Sequence, residues 1–476
     1  MTKREAWSCL AYVCLSAVII WSIVSGLSPL LYVAIAVIAL IAVTQEPLVG
    51  LGLTLGLTML FERFFTLASL SFDGNIYKIY PLDIVIGITI LGAIAHIVQR
   101  RLAPIRWELP EKLLSLFIIT ALVHFLFSLM EFSSDSAVVF STFKYYALYP
   151  LLYFLTVALV NNRDALAYMI KTIIGAGMGI IIFIIIGVWN GAGLWTEFTP
   201  LSTDGTRLLA GTHGFYLTLA SLIVFSYLAY RRWRRPIWGW VLIAIWSFGI
   251  LASLMRHLWI AEAIALIVMF VIVPLAAKKQ LLTGSLKLLL VALGGIILTL
   301  WFVALSHNQL LANTGEIAAV FTQRVSSITN TFEDTSASWR LSLWQDAYTA
   351  WRAHPFVGIG FGQSLLLDTG DWQTFEEIRN IHNSPLAILV QMGLIGISFL
   401  GAFVLVLLMW TYRVLRNQEL APIAVGLFAG LLLIGVSSLF QPYLETNLTA
   451  ICLWIWLGLL RAISILDQQH DHPSRQ

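Results

Sequence analysis

The stretch "RNIHNSPLAILVQMGLIGISFLGAFVLVLLMWT" (379–411) opens on a basic, amide-rich turn and then runs from Leu386 to Thr411 without a charged side chain. A helix rises about 1.5 Å per residue and a bilayer's hydrocarbon core is about 30 Å thick, so roughly 20 apolar residues cross it. The run beginning near 386 is long enough to do so. Ser384 is the expected N-cap and Pro385 the first helical residue. His382 therefore falls just before the apolar span, at a membrane surface.

The same ruler, moved along the chain, finds apolar spans near 7–27, 29–45, 48–61, 81–98, 113–130, 145–160, 169–189, 213–230, 237–255, 257–277, 285–306, 386–411, 421–439 and 448–466. The expected fold is an all-α polytopic membrane protein with about 14 transmembrane helices. Composition agrees: 59% of residues are hydrophobic and 11% charged, where soluble domains carry about 25% charge. Mean hydropathy is +0.86. The first span follows "MTKREAW" with no small-residue cleavage site before the next, so it is expected to stay as a helix. Cys9, Cys14 and Cys452 all fall within apolar spans, which excludes a disulfide framework and a CxxC metal site.

Lys and Arg in short loops set orientation, because positive loops stay cytoplasmic. "TKR" at the N-terminus, "QRRLAPIR" (99–106), "NNRD" (161–164), "RRWRRP" (231–236), "KKQ" (278–280) and "YRVLRNQ" (412–418) alternate with neutral or acidic loops such as "EFSSDSA" (131–137) and "LETN" (444–447). The alternation holds with both termini cytoplasmic. Net charge is only +3, and its basic clusters abut helix ends, so they report topology and give no support for nucleic-acid binding.

Residues 190–212, the tight hairpin "LMRHLW" (254–259) and the long region 307–385 become external. A polar region of that length is too long for a connector and is expected to carry structure and function. Within it, "ASWRLSLWQDAYTAWRAHP" (337–355) sets Leu343, Trp344, Ala347, Tyr348 and Trp351 at helical spacing, as in a helix lying at the membrane interface. "PFVGIGFGQ" (355–363) follows, its glycines signalling a turn or a close backbone approach.

These external segments hold the chemistry. The imidazole of His382, with an ordinary pKa near 6.5, can accept or donate a proton near neutral pH. Arg256 sits in the hairpin, Arg207 in "STDGTRLLAGTHG" (202–214), and Arg340 at the start of the interfacial helix. A guanidinium keeps its charge and offers a planar pair of donors suited to phosphate oxygens. Each has a plainer reading too: a helix-start histidine bonded to a loop carbonyl, an Arg256 reaching to headgroups, an Arg340 held by anionic lipid, an Arg207 solvated beside Asp204. His213 opens its span in "GTHGFYL", and Lys144 in "FKYYALYP" (143–150) and Glu262 in "WIAEAIAL" (259–266) are ionisable groups in apolar spans, which are costly and often functional. For Lys144 snorkelling to the outer leaflet is the expected behaviour.

"SLMRHLWIA" (253–261), "SWRLSLWQDAYTAWRAHPFVGIGFG" (338–362) and "IHNSPLAILVQMGLIG" (381–396), arranged in this order on a polytopic chain, resemble the O-antigen ligase/polymerase family of bacterial membrane glycosyltransferases. The likeness covers roughly residues 200–415. It implies a GT-C-like helical membrane architecture with a long extracytoplasmic loop, divided as N-terminal helices 1–200, a ligase-like core 201–415 containing the loop 307–385, and C-terminal helices with a cytoplasmic tail, 416–476. It also implies a polyprenyl-diphosphate-linked glycan donor, a glycan or lipid acceptor, and an active site outside the cytoplasmic membrane. Arg256 and Arg340 resemble the family's diphosphate-binding arginines, Arg207 is a further candidate, and His382 resembles its essential histidine. Asn383, His213 and Lys144 are candidates for supporting positions. Where the family often has Ser-Arg-Gly, this chain has Met255-Arg256-His257.

The expected reaction is inverting and needs no metal or cofactor: Asp368 and Asp371 in "LDTGDW" form no DxD pair. Ligase and polymerase differ in acceptor, which the residues do not fix. A transporter of a small anion or of a lipid-linked glycan is the alternative from another class and predicts inverted repeats with broken helices near the midplane. A non-catalytic scaffold leaves the Arg/His set unexplained.

Overall fold

A computed structural model describes residues 3–25, 29–67, 70–72, 75–77, 80–130, 135–190, 208–287, 335–368 and 373–471. Arg207, most of the span expected near 285–306 and the external stretch up to 334 lie outside them. The helices are α1 (Lys3–Ser25), α2 (Pro29–Gln45), α3 (Pro47–Leu67), α4 (Pro81–Val98), α5 (Leu109–Met130), α6 (Ser136–Phe143), α7 (Leu151–Leu159), α8 (Arg163–Asn190), α9 (Gly211–Ala229), α10 (Pro236–Ala252), α11 (Arg256–Ile272), α12 (Thr335–Ala353), α13 (Ser384–Val414), α14 (Ala421–Ser438) and α15 (Asn447–Asp471). A π turn, Lys144–Leu148, lies between α6 and α7. Among the described residues sheet is confined to two antiparallel hairpins, β1 (Leu70–Phe72) with β2 (Asn75–Tyr77) and β3 (Ser364–Asp368) with β4 (Gln373–Glu377).

Nine helical segments among the described residues are long and apolar enough to cross a membrane, α6 to α7 counting as one, and three shorter apolar helices accompany them. The protein is an all-α polytopic membrane protein. Leu91, Phe127 and Ile182 are each more than 60% exposed, an outward apolar surface that suits lipid and not water.

The chain forms two compact units, residues 1–176, 339–417 and 437–476 in the first and 177–338 and 418–436 in the second. In the first, α1 to α4 pack together, α13 lies along α5, and α15 lies along α7 and α13. Deep in this unit Arg461 of α15 is fully buried, with Nε 2.8 Å from Glu111 Oε1 and Nη2 3.1 Å from Glu108 Oε2. The Tyr153 hydroxyl donates to the same Glu111 oxygen at 2.9 Å, so one ionic cluster ties α5, α7 and α15.

Helix α13 is interrupted at Gly393 (φ 63°, ψ −166°), a conformation open essentially to glycine alone. A Cβ there would lie 2.1 Å from the Phe356 carbonyl oxygen. The interruption frees peptide groups that a membrane interior cannot leave unmet, and the glycine-rich loop after α12 meets them. Ile359 and Gly360 donate N–H bonds to the carbonyls of Val390 (2.9 Å) and Gln391 (3.1 Å), while Leu394 and Ile395 donate to those of Pro355 (2.9 Å) and Phe356 (3.1 Å). Gly358 (φ 71°) provides the approach, since a Cβ would fall 2.6 Å from the Val390 carbonyl oxygen. The expectation of a close backbone approach over 355–363 is met by this seam.

In the second unit α9 packs against α10 and α11. The latter two are joined by the tight turn of Ser253, Leu254 and Met255, with Leu254 left-handed (φ 54°).

Candidate functional site

The aromatic stripe of α12 faces inward. Leu343 and Ala347 are fully buried against Ile378, Ile381, Ala387 and Val390, with Trp339, Trp344 and Trp351 packed around them. The Trp344 indole donates to the Ile381 carbonyl at 2.7 Å and that of Trp351 to Pro355 at 3.0 Å. An interfacial helix with its rings in lipid was expected; the indoles instead grip the turn that leads into α13, and Tyr348 remains half-exposed.

That turn is a single 3-10 turn, Ile378–Asn380, followed by Ile381 and His382. His382 is left-handed (φ 56°), a conformation that costs a non-glycine residue about 1–3 kcal/mol and persists only where its surroundings impose it. The Trp339 ring meets the imidazole edge-on at 5.4 Å. Asn383, not Ser384, caps α13: its side chain accepts the Leu386 N–H at 3.0 Å. Ser384 is therefore the first helical residue and Pro385 the second, a shift of one position from the expected start. Freed from capping, the buried Ser384 hydroxyl hydrogen-bonds to Glu445 and accepts the Leu444 N–H at 3.2 Å.

His382 Nδ1 lies 3.1 Å from Gln441 Oε1. The amide oxygen accepts, so the proton sits on Nδ1 and the lone pair on Nε2. Burial first and the neighbouring Arg340 charge second push the His382 pKa down to about 4, the Gln441 bond opposing them. The imidazole is neutral at physiological pH and able to take a proton. Behind it, Glu445 is fully enclosed, accepting from Ser384 and from the Tyr146 hydroxyl (2.6 Å), which in turn accepts from Gln391 Nε2 at 3.4 Å. Burial pushes the Glu445 pKa up to about 7 despite those hydroxyl donors.

Lys144 does not snorkel. It is 4% exposed, with Nζ 3.1 Å from Asp83 Oδ2 and above the rings of Tyr80 (4.5 Å) and Tyr149 (5.4 Å). Asp83 also accepts the Tyr80 N–H at 2.9 Å and the Tyr149 hydroxyl at 3.2 Å, and the same hydroxyl lies 2.8 Å from Asn447 Oδ1. The starts of α4 and α15 and the π turn thus share one polar cluster.

Of the residues singled out from sequence, His382, Asn383 and Arg340 are brought together and Lys144 joins the polar end of the same unit. Arg256 and His213 belong to the second unit. Arg256 is half-buried in the first turn of α11, and His213 is buried near the start of α9 with its ring 4.6 Å from Phe183. Glu262 accepts from Ser221 Oγ at 3.0 Å. Gln441, Glu445, Tyr146, Asp83 and Arg379 were missed. The signal for the first two was an amide and an acid inside a short loop between apolar spans; of that loop only "LETN" (444–447), with Glu445, was read, and for orientation alone.

A family model described as O-antigen ligase matches residues 240–401, a stretch that holds Arg256, Arg340, Arg379 and His382. No curated protein matches the chain.

Proposed function

We propose that this chain is a membrane glycosyltransferase that moves a glycan from a polyprenyl diphosphate to an acceptor hydroxyl on the outer face of the cytoplasmic membrane, as an O-antigen ligase does. The match to the O-antigen ligase family supports an enzyme of that general type. The observation that carries the finer reading is a neutral imidazole, oriented through Nδ1 by Gln441, beside the Arg340 guanidinium.

In this reading His382 Nε2 accepts the proton of the acceptor O–H as that oxygen attacks the anomeric carbon. The bond from that carbon to the diphosphate oxygen breaks with its electron pair, and Arg340 stabilises the charge that collects on the leaving diphosphate. Attack opposite the leaving group inverts the anomeric centre. Arg256 and Arg207 keep the diphosphate-binding role that the resemblance implies for them, and no metal is assigned. About 14 spans in a GT-C-like arrangement, cytoplasmic termini and the division 1–200, 201–415 and 416–476 belong to the same proposal. Polymerase activity, with another lipid-linked glycan as acceptor, is the second reading within the family.

The interrupted helix α13 is the feature that a transporter also has. Here the freed carbonyls of Val390 and Gln391 are taken by Ile359 and Gly360, which favours a structural seam over an ion site.

Purified protein incubated with a labelled polyprenyl-diphosphate glycan and each candidate acceptor tests the proposal. Label on lipid A core identifies a ligase, and lengthened lipid-linked glycan identifies a polymerase. Movement of intact donor across a vesicle membrane with no new glycosidic bond overturns both.

A further inference from the structure

Arg379 lies three residues before His382, and its side chain is only 7% exposed. A buried guanidinium costs several kcal/mol unless its N–H groups are met. Nε pairs with the Glu377 carboxylate, but Nη1 is buried without a hydrogen-bond partner among the described residues. An unmet, charged donor at the entry to α13 calls for an acceptor from outside the chain.

Its neighbours narrow the chemistry. The Arg379 charge is felt at the hydroxyls of Tyr80 and Tyr145, and Tyr80 also carries the Lys144 ammonium over its ring. Lys144 and Tyr145 both belong to the π turn, an element frequent at functional sites. Arg379 and Lys144 are each paired with a carboxylate here, Glu377 and Asp83, and Glu445 also lies near the Tyr145 hydroxyl. An oxyanion with several acceptor oxygens satisfies Nη1 and can take phenolic donors as well.

We propose that Arg379, with Tyr80, Tyr145 and Lys144, forms an anion subsite beside His382 that takes a phosphate oxyanion. Two sources share that chemistry: the diphosphate of the lipid-linked donor, for which the inference rests on the proposed function, and the headgroup of an anionic phospholipid.

The test uses the full-length protein in phosphatidylcholine nanodiscs, titrated with undecaprenyl diphosphate or supplemented with phosphatidylglycerol. Arg379→Gln is expected to weaken diphosphate binding about tenfold or more, in line with loss of a charge-assisted bond. Glu377→Gln is expected to tighten it, because the competing carboxylate is gone; a damaged fold does not produce that gain. Arg379-dependent binding of phosphatidylglycerol alone keeps the subsite, assigns it to lipid and removes the donor reading. Wild-type binding of the diphosphate that a folded Arg379→Gln leaves unchanged overturns the subsite while the proposed function stands. Where Arg379→Gln does not fold, unchanged or weaker binding by Glu377→Gln overturns the subsite. Wild-type protein that binds neither probe overturns both.

Discussion

Among the described residues two arginines are buried in the first unit, and they are not buried alike. Arg461 has Nε on Glu111, Nη2 beside Glu108 and Nη1 3.4 Å from Ser464 Oγ, while its guanidinium covers the Trp410 ring at 4.6 Å. Glu111 in turn accepts from Tyr153 and, through Oε2, from the Glu108 N–H at 3.0 Å. Nη2 makes no hydrogen bond of good geometry, but the Glu108 carboxylate beside it supplies a counter-charge from within the chain. Arg379 is answered at Nε and left open at Nη1. The closed cluster binds helices to one another, and the open one stands next to the histidine with a neutral, oriented ring. A carboxylate beside the unbonded nitrogen, more than charge or burial, is what distinguishes Arg461 from Arg379.

Substitution breaks the two regions in opposite ways. His382→Ala is expected to lower glycan transfer by about 10²- to 10⁴-fold with the protein's membrane abundance kept; near-normal transfer removes the histidine as base. Arg461→Met does the reverse, since it strands Glu111 in the interior at a cost of about 3–5 kcal/mol. Loss of folded protein in detergent is the expected readout. Full stability in Arg461→Met, or loss of folded protein in His382→Ala, erases the contrast. A smaller effect belongs to Gln441, whose bond to His382 Nδ1 holds the tautomer. Gln441→Ala is expected to reduce kcat about tenfold, the worth of one net hydrogen bond of about 1.4 kcal/mol, and to leave the KM for donor unchanged. A change in KM alone assigns Gln441 to binding.

The apolar spans were legible because they follow a single physical rule, the thickness of the bilayer, and the resemblance pointed to His382 and Arg340. What surrounds them was not, because the partners are distant in sequence and follow no motif. Gln441 meets His382 from 59 residues away, Glu445 meets Ser384 from 61, and Asp83 meets Lys144 from 61. Ser384 followed by Pro385 has the chemistry of a helix start, yet Asn383 one residue earlier makes the cap; both side chains can cap, and the need to bind Glu445 decides between them. The inward turn of the α12 indoles depended on the carbonyls of Ile381 and Pro355, whose free lone pairs no hydropathy pattern reports.

The least conspicuous effect is in pH. His382 titrates near 4 when folded and near 6.5 when unfolded. The unfolded chain then binds its proton more readily, so this group's contribution is intact above about 6.5 and stability falls as pH drops through the window. Glu445 runs the other way, from about 4.3 unfolded to about 7 folded: its contribution is present below about 4.3 and is lost as pH rises toward 7. The two slopes oppose one another, so their sum is nearly flat between about pH 4.5 and 6.5 in the wild-type protein. Glu445→Gln leaves the histidine slope alone, and its melting temperature should rise with pH across that window relative to wild type. His382→Ala leaves the glutamate slope, and its melting temperature should fall. Arg340→Gln removes the second cause of the low His382 pKa, so the acid limb of the transfer rate should move up from near pH 4 while the neutral plateau keeps its shape; a limb that stays in place separates Arg340 from the imidazole it is proposed to serve.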